Sequence, residues 1–535
     1  MIASIPSAVL VGVDGKPVAV EVHVSNGLPG FTVVGLPDAA VRESRDRVRA
    51  ALLSSGLPWP LRRVTVNLAP SGMKKGGSGL DLPIAIGVLV ASGAVESRLV
   101  EGLAFLGELG LDGSLRGVPG TVALAAVLTP FQLVVPAESG REARLAGEID
   151  VLTSSNLGGL VAGLSHRQQW SIASAASDDA AQACGRNGGV CRSGIPNRSR
   201  GAGPGDDQGG RHAEPFPDLS DVHGQQFPRR ALEVAAAGGH HLILVGPPGS
   251  GKSMLATRLP GLLPDLPRSV ALEVTRVHSV AGLPLPPAGL IERPPFRAPH
   301  HGVSAVAMIG GGTSGMRPGE ISLAHGGVLF LDEMGEFSSL VLDALRLPLE
   351  EGLVRVSRAR AATTFPARFI LVGAMNPCPC GEDGSLGGCR CSPVHRQRYA
   401  RRLSAPLLDR FDMAIRVHRP ENGELIAAVP GEPSSVVAER VAEARHLASA
   451  RGVPCNAQIP ASLLNDVAPM SEAATSVVEK ELRSGSLSAR GLHRVQRLAR
   501  TVADLEDAGG LIRESHMREA MLLRTPRAVL LPGGA

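Results

Sequence analysis

The residues from Gly246 to Ser253 have the types and the spacing needed to bind a nucleoside triphosphate. They read GPPGSGKS, which matches the phosphate-loop pattern G-x-x-x-x-G-K-[ST] at every fixed position. Glycines allow a tight turn whose backbone N–H groups point at phosphate oxygens, and the helix that follows adds its positive end. We expect Lys252 to reach the β- and γ-phosphates and the Ser253 hydroxyl to bind Mg²⁺. The predicted loop comprises Gly246, Pro247, Pro248, Gly249, Ser250, Gly251, Lys252 and Ser253, and ATP with Mg²⁺ is the expected cofactor.

A second motif, which contains two acidic residues, follows further along the chain. The segment GVLFLDE places Asp332 and Glu333 directly after a short apolar run, which predicts a buried strand with two carboxylates at its carboxyl end. After a phosphate loop, this pattern indicates that Asp332 helps to hold Mg²⁺ and that Glu333 polarises the attacking water. The loop itself is preceded by the apolar run Leu242 to Val245, a second predicted buried strand.

Composition limits the class of protein. A chain of 535 residues predicts about three domains, and a net charge of +4 is too small to argue for nucleic acid. The chain begins without a basic leader, and prolines interrupt its longest uncharged run, so we expect a cytoplasmic protein that does not enter a membrane. Lysine occurs only at positions 16, 74, 75, 252 and 480, so one of few lysines lies in the phosphate loop.

The first 165 residues alternate strand-like and helix-like segments, which predicts an α/β domain with its own core. Strands are expected at 18–24, 31–34 and 63–67, and a helix at 39–54. Residues 166–214 are rich in Ser, Gly, Asn, Arg and Asp without apolar periodicity, which predicts a flexible linker. The linker contains Cys184 and Cys191, which we regard as incidental thiols.

The segments at 66–89 and 105–126 resemble the domain shared by Lon-type proteases, RadA and the magnesium-chelatase-like proteins of the YifB/ComM family. In Lon that domain is a Ser–Lys peptidase, and Ser78 occupies the corresponding position. A serine nucleophile needs a nearby base, yet no lysine lies between residues 76 and 251, and Lys74 and Lys75 are too near in sequence to be the family's partner. We therefore expect a non-catalytic domain.

The chain from Pro217 to about Leu505 also resembles the YifB/ComM family, which is akin to the magnesium-chelatase ATPase subunit and more distantly to MCM helicases. The resemblance implies an α/β fold, with a ribosomal-S5-domain-2/Lon-like domain followed by a P-loop AAA+ core and a small helical lid. It implies four units: a non-catalytic domain (1–165), a linker (166–214), an ATPase core (215–420) and a lid (421–535).

The resemblance also assigns roles to polar residues of the ATPase. Asn376 follows the apolar segment RFILVGAM and corresponds to the sensor that orients the lytic water. Arg410 corresponds to the arginine finger, which a neighbouring subunit inserts to stabilise the transferred phosphoryl group. Arg490 in the lid corresponds to the second sensor, with Arg494 one turn later as the alternative. A finger that acts in trans implies a ring, expected here to be a homohexamer.

Two segments bear on what such a motor would act upon. The alternating residues of 349–372 resemble the β-hairpin that MCM-like ATPases point into their central pore, where Arg355, Arg358 and Arg360 would meet a DNA backbone without reading bases. The alternative is a solvated basic hairpin. His300 and His301 lie where these relatives carry an inserted pore loop, and we expect them to pack or to line the pore rather than to bind metal.

Four cysteines form the pattern C-x-C-x8-C-x-C at Cys378, Cys380, Cys389 and Cys391. Four thiolates on two short arms can hold a tetrahedral structural zinc, although the C-x-C spacing is tighter than the common one. The alternative is a set of reduced thiols without metal.

Taken with the resemblance, these motifs predict an AAA+ ATPase that couples Mg²⁺–ATP hydrolysis to translocation on DNA, as in ComM-like branch migration during recombination of incoming DNA. The alternative is a magnesium-chelatase-type motor that remodels a protein partner. An ATP-dependent protease is a weaker alternative because the catalytic lysine is missing.

Overall fold

The structure is a computed structural model that describes residues 2–72, 75–166, 170, 216–312, 316–358, 361–381, 389, 391–419, 430–485, 487–506 and 510–524. Most of the predicted linker therefore lies outside the described residues, together with Cys184, Cys191, Lys74 and Arg360.

A four-stranded mixed sheet begins the chain. Its order is Ile2–Val11, Asp14–Ser25, Arg63–Ala69 and Gly30–Val34, with only the last pair parallel. The strands expected at 18–24, 31–34 and 63–67 are thus present. Val18, Val20, Val22 and Val24 are buried while the residues between them are more exposed, because successive side chains of a strand point to opposite faces.

Helices cover this sheet. The predicted helix is present as Ala39–Ser54, and the Asp38 side chain caps it by accepting a hydrogen bond from the Val41 N–H. The helix Asp81–Ser92 is buried along almost its whole length. The rest of this half contains a parallel sheet of Leu103–Phe105, Gln132–Pro136 and Val151–Ser154, the pair Glu108–Leu109 and Leu115–Arg116, and the helices Thr121–Ala126, Gly140–Arg144 and Leu157–Ser165.

The second half is built on a five-stranded parallel sheet in which every strand is short. Its order is Phe296–Arg297, Val328–Leu331, Ile370–Met375, Leu242–Val245 and Met413–Arg416. The three central strands are buried on both faces, as their uninterrupted apolar sequences predict. The mixed α/β architecture with parallel strands is therefore that of a P-loop AAA+ core.

Helices and two small β-pairs surround this sheet. A hairpin is formed by Leu353–Arg358 and Ala361–Pro366, and a second short pair by Gly310–Gly311 and Arg317–Pro318. The helices of this part are Gln226–Gly238, Lys252–Ala256, Arg268–Ala281, Ala305–Ile309, Glu320–Leu323, Ser339–Ala344, Arg346–Glu351, Pro393–Arg402 and Ala405–Leu408.

The described residues after 430 are helical. They form Ser434–Ala450, Leu464–Val467, Glu472–Arg483, Ala489–Leu505 and Glu514–Leu522. Val441 and Leu498 from these helices share one apolar core with Leu232 and Leu244 of the ATPase part. The lid helices therefore pack on the helix Gln226–Gly238 that precedes the phosphate-loop strand.

The amino-terminal domain is docked on the ATPase core at two places. Its first turn brings Gly12 against Thr363, and Val13 packs on the apolar cluster beneath the hairpin. At the second place the Ser279 hydroxyl donates a hydrogen bond to the Glu142 carboxylate, while the Gly120 N–H donates to the Ser279 carbonyl at 3.0 Å. Burial raises the pKa of Glu142 above its ordinary value, and the hydrogen bonds that its carboxylate accepts from the Ser279 hydroxyl and from the Val122 and Thr121 N–H groups only partly oppose this shift.

Candidate functional site

Three strands of the parallel sheet bring the predicted nucleotide residues to one edge. The phosphate loop follows Leu242–Val245, Asp332 follows Val328–Leu331, and Asn376 follows Ile370–Met375. Because all three strands run in the same direction and pair in register, their carboxyl ends meet at the same edge. Residues far apart in sequence thus form one site.

Lys252 is the most enclosed charged residue of this edge. Its Nζ donates hydrogen bonds to the carbonyls of Gly246 at 2.8 Å and Pro247 at 2.9 Å, and lies 3.3 Å from Asn376 Oδ1. The residue is only 8% exposed. Burial lowers the pKa of the Lys252 amine, and the Asp332 carboxylate opposes this shift. A partly desolvated cation beside the loop is well placed to attract phosphate.

The loop has the backbone shape that a phosphate cradle needs. Gly249 and Gly251 have positive φ angles of 75° and 88°, a conformation that other residues adopt only with strain. The helix Lys252–Ala256 begins directly after Gly251, so its first N–H groups face the loop.

The side chains of Ser253 and Asp332 are in direct contact, as two ligands of one cation would be. The Ser253 hydroxyl donates a 2.7 Å hydrogen bond to Asp332 Oδ2, and Asp332 Oδ1 accepts from the Glu333 N–H at 2.9 Å. A hydroxyl and a carboxylate oxygen next to a phosphate loop are the hard oxygen donors that Mg²⁺ prefers. The side chains present therefore fit Mg²⁺ bound together with a nucleotide.

Glu333 has a partner that the sequence did not indicate. Its backbone is left-handed, with a φ of 50°, and its side chain is 61% exposed. The His301 Nδ1 atom lies 3.5 Å from Glu333 Oε2, and the His301 ring meets Phe337 edge-on at 6.5 Å between centroids. His301 was expected to pack or to line the pore. Its position after the neighbouring strand Phe296–Arg297 was the only available signal of this contact.

Asn376 is held from two sides. Its Oδ1 faces Lys252, while its backbone carbonyl accepts a 3.1 Å hydrogen bond from the Tyr399 hydroxyl. Tyr399 is buried, and that burial raises the pKa of its hydroxyl above the ordinary value, so it stays a donor at neutral pH. Tyr399 is the only tyrosine of the chain, and sequence reasoning did not single it out.

Arg410 lies at the opposite end of the sheet from Lys252. It precedes the strand Met413–Arg416, whose amino end pairs with the amino end of the phosphate-loop strand. A strand of four residues spans about 13 Å, which separates this end from the phosphate loop. Arg410 forms an ion pair with Glu350. Arg410 therefore cannot belong to the same edge as its own chain's Lys252.

Other arginines surround Arg410. Its pKa is lowered first by burial and then by the positive charges of Arg494, Arg490 and Arg346. We call these four residues the arginine cluster. Arg494 is half-buried and Arg490 exposed, and Arg494 also lowers the pKa of the buried Asp412 carboxyl. Both candidates for the second sensor are thus near enough to Arg410 for their charges to lower its pKa.

The hairpin alternates as predicted. Val354 and Val356 are buried while Arg355, between them, is exposed and lies 2.9 Å from Glu351 in an ion pair. Arg358 pairs with Ala361 through the backbone at the tip of the described hairpin. Arg360 lies outside the described residues.

The four cysteine sulfurs converge. Cys378 Sγ lies 3.4 Å from Cys380 Sγ and 3.2 Å from Cys389 Sγ, and all four sulfurs, including that of Cys391, lie within 4.8 Å of one another. Four sulfurs placed ~2.3 Å from a tetrahedral zinc are separated by about 3.8 Å. The arrangement therefore fits a tetrathiolate metal site.

Within the described part of the chain, the partner of Ser78 is a carboxylate rather than a lysine. Its hydroxyl donates to the Glu108 carboxylate, whereas the buried Lys75 amine donates to the Pro70 carbonyl. That this domain is non-catalytic stays a prediction from the sequence.

Comparison with known proteins agrees with this architecture. Three family profiles match: "Magnesium chelatase, subunit ChlI" over residues 218–425, "Subunit ChlI of Mg-chelatase" over 20–139, and the ChlI C-terminal domain over 431–524. No helix of the described residues is both long and apolar enough to cross a membrane.

Full-length relatives match almost end to end. An uncharacterized protein of Mycobacterium tuberculosis is 44% identical over 92% of this chain and 93% of its own length. The YifB protein of Escherichia coli is 40% identical over 97% of this chain and 96% of its own. The competence protein ComM of Haemophilus influenzae is 40% identical over 97% of both chains. Together with the nucleotide site, these matches place the chain in the YifB/ComM family of magnesium-chelatase-like, AAA+-like ATPases.

Proposed function

We propose that the protein is a ring-forming motor, most simply a homohexamer, that couples Mg²⁺–ATP hydrolysis to translocation on single-stranded or branched DNA in the cytoplasm. The observation that carries the ring is the arginine cluster. Its central member, Arg410, precedes the amino end of the strand Met413–Arg416, whereas the Lys252 phosphate loop follows the carboxyl end of the paired strand.

Several like charges gathered at one place favour an anionic partner. A neighbouring subunit that presents its phosphate-loop edge to the arginine cluster supplies such an anion, the triphosphate. Arg410 then stabilises charge on the transferred phosphoryl group, with Arg490 or Arg494 beside it.

Within one subunit the remaining roles follow from the contacts of the side chains. Lys252 turns from the loop carbonyls to the phosphates, Ser253 and Asp332 hold Mg²⁺, and Glu333 accepts the proton of the attacking water. Asn376 orients that water opposite Lys252. Mg²⁺ held by Ser253 and Asp332 would supply positive charge to offset that of the β- and γ-phosphates.

DNA is the substrate that the hairpin favours. Exposed Arg355 alternates with buried valines, so this arginine, which is paired with Glu351, points away from the core. Arg358 is the last residue of the first hairpin strand, and Arg360 follows two residues later in the sequence. Both would add positive charge. Backbone contacts of this kind bind nucleic acid without reading bases. One relative is named a competence protein, and the family resemblance gives branch migration during recombination of incoming DNA as the proposed task.

We also propose a structural zinc ion on Cys378, Cys380, Cys389 and Cys391. The support is the convergence of four sulfurs at nearly the spacing of a tetrahedral site.

The test is steady-state ATPase activity with and without forked or four-way-junction DNA. We expect stimulation of several-fold that is lost when Arg355, Arg358 and Arg360 are all replaced by alanine. The matched control is Arg98→Ala, since Arg98 is an exposed arginine paired with Glu96 on the amino-terminal domain.

One outcome would overturn the DNA proposal. A preparation that assembles with ATP and hydrolyses it at a rate indifferent to DNA would instead support a magnesium-chelatase-type ATPase that remodels a protein partner.

A further inference from the structure

The four cysteines lie on a chain segment that starts at Asn376 and later returns to contact the same residue. Cys378 follows Asn376 by two residues, and Cys391 immediately precedes Ser392, whose side chain caps the helix Pro393–Arg402. That helix returns Tyr399, whose hydroxyl bonds the Asn376 carbonyl at 3.1 Å. The chain thus leaves Asn376, passes through the cysteines and comes back to the same residue.

The same segment lies against the phosphate loop. Gly381, with a φ of 83°, is so close to Pro248 that an added Cβ would lie 2.7 Å from the proline Cγ. Real Cβ atoms do not approach other atoms so closely, so the backbone of the cysteine turn packs directly on the Pro248 side chain of the phosphate loop. A shift of the turn would therefore displace the phosphate loop.

A third contact reaches the turn that follows Glu333. The Arg402 guanidinium donates to the Gly335 carbonyl at 2.6 Å and to Glu336 Oε2 at 2.9 Å. The ring of Tyr399 also lies against Gly335, where a Cβ would not fit. The helix after the cysteines therefore supports the acidic motif as well as Asn376.

We propose that the four cysteines, Gly381 and the helix Pro393–Arg402 act together as a brace closed by zinc, in which the tetrathiolate metal site positions Asn376, the phosphate loop and the turn after Glu333 for hydrolysis. The inference rests on the zinc ion and the ATPase activity proposed above. It adds that the metal is required for nucleotide chemistry rather than for local folding alone.

The physical reason is the short length of the two arms. A C-x-C arm is only three residues long, and without a crosslink the conformational entropy of so short a segment would leave the contacts with Pro248 and Tyr399 loosely defined. Four metal–sulfur bonds join both arms at one point and release the thiol protons to solvent. The brace then holds its three contacts in one arrangement.

The experiment uses the full-length protein and measures three quantities: zinc per chain by atomic emission, the Kd for a fluorescent ATP analogue, and kcat with KM for ATP. We expect about one zinc per chain in the unmodified protein. Cys389→Ser with Cys391→Ser should lose the zinc and lower kcat at least tenfold. Cys184→Ser with Cys191→Ser is the matched control, and it should change neither the zinc content nor kcat.

Two further variants separate positioning from folding. Cys389→His keeps a ligand that zinc accepts, so it should retain the metal and most of kcat. Tyr399→Phe opens the brace without touching a cysteine, and it should keep the zinc while lowering kcat about three- to tenfold with little change in KM.

The outcomes are distinguishable. If the unmodified protein hydrolyses ATP but holds no zinc, both the metal site and the brace are wrong while the ATPase proposal stands. If zinc is present and its loss leaves kcat and the nucleotide Kd unchanged in a folded protein, only the brace is wrong. An unmodified protein that assembles but does not hydrolyse ATP would overturn the proposed function itself.

Discussion

His301 places its Nδ1 atom 3.5 Å from Oε2 of Glu333, the residue expected to polarise the lytic water. The imidazole lies in the turn that follows the strand Phe296–Arg297, and its ring makes an edge contact with Phe337. A neighbouring imidazole can hold the carboxylate in one orientation, which matters because the Glu333 side chain is otherwise largely exposed.

We therefore expect His301→Ala to lower kcat for ATP several-fold while the KM for ATP changes less than about twofold, since the phosphate loop is untouched. The measurement is steady-state ATPase kinetics. The control is His446→Ala, because His446 is exposed on a lid helix. An unchanged kcat in the His301 variant would mean that the contact does not position Glu333.

Lys252→Ala should weaken ATP binding by about 10- to 150-fold, which corresponds to the ~1.5–3 kcal/mol of a hydrogen bond to a charged group. Glu333→Gln should bind ATP normally and lose at least about 100-fold in turnover, because it removes the base but not the phosphate contacts. Equilibrium binding of a fluorescent ATP analogue and single-turnover hydrolysis measure the two effects. Retained turnover in either variant would contradict the site assignment.

Arg410→Ala should be inactive alone yet recover ATPase activity when mixed with Glu333→Gln subunits. Recovery follows if an intact arginine of one subunit serves the intact phosphate-loop edge of another. The comparison variant is Arg483→Ala, because Arg483 is an exposed lid arginine paired with Glu479.

Mixed preparations that stay inactive, although they assemble, would leave Arg410 as a structural residue paired with Glu350. Arg490→Ala and Arg494→Ala, tested in the same mixtures, identify which of the two arginines acts as the second sensor.

Docking of the amino-terminal domain should depend on pH through Glu142. Burial raises the pKa of Glu142 in the folded protein. The contribution of Glu142 to the free energy of unfolding is therefore complete below the ordinary pKa of about 4.3, and it is lost as the pH rises through the raised pKa. Glu142→Gln keeps an acceptor for the Ser279 hydroxyl but cannot ionise. Its melting temperature should exceed that of the unmodified protein at pH 8, by a margin that narrows towards pH 5.

Thermal unfolding followed between pH 5 and pH 8 measures this margin. Glu148→Gln is the control, since Glu148 is an exposed carboxylate of the same domain. A margin that does not vary with pH would show that Glu142 is not the titrating group.

Much of the nucleotide site could be predicted because its signals are local. The glycine spacing of 246–251 requires positive φ angles that the structure contains, and each apolar run before Asp332 and Asn376 forms a buried strand. Parallel strands place their carboxyl ends together, so three separate motifs could be assigned to one edge before any distance was known. The hairpin could also be predicted from local signals, since apolar and polar residues alternate along its strands.

The contacts that join these motifs could not be predicted, because each depends on how separate elements pack. Nothing near His301 in sequence indicates Glu333, and nothing near Arg410 indicates Arg346, Glu350 or the lid arginines. The cysteine spacing suggested a metal, but only the packing brought Gly381 against Pro248 and Tyr399 back to Asn376. The sequence by itself determined which residues can carry out the chemistry, since backbone conformation and strand burial are encoded locally. The tertiary structure decided which other residues contact and position these chemical groups, since those contacts join segments that only the packed core brings together.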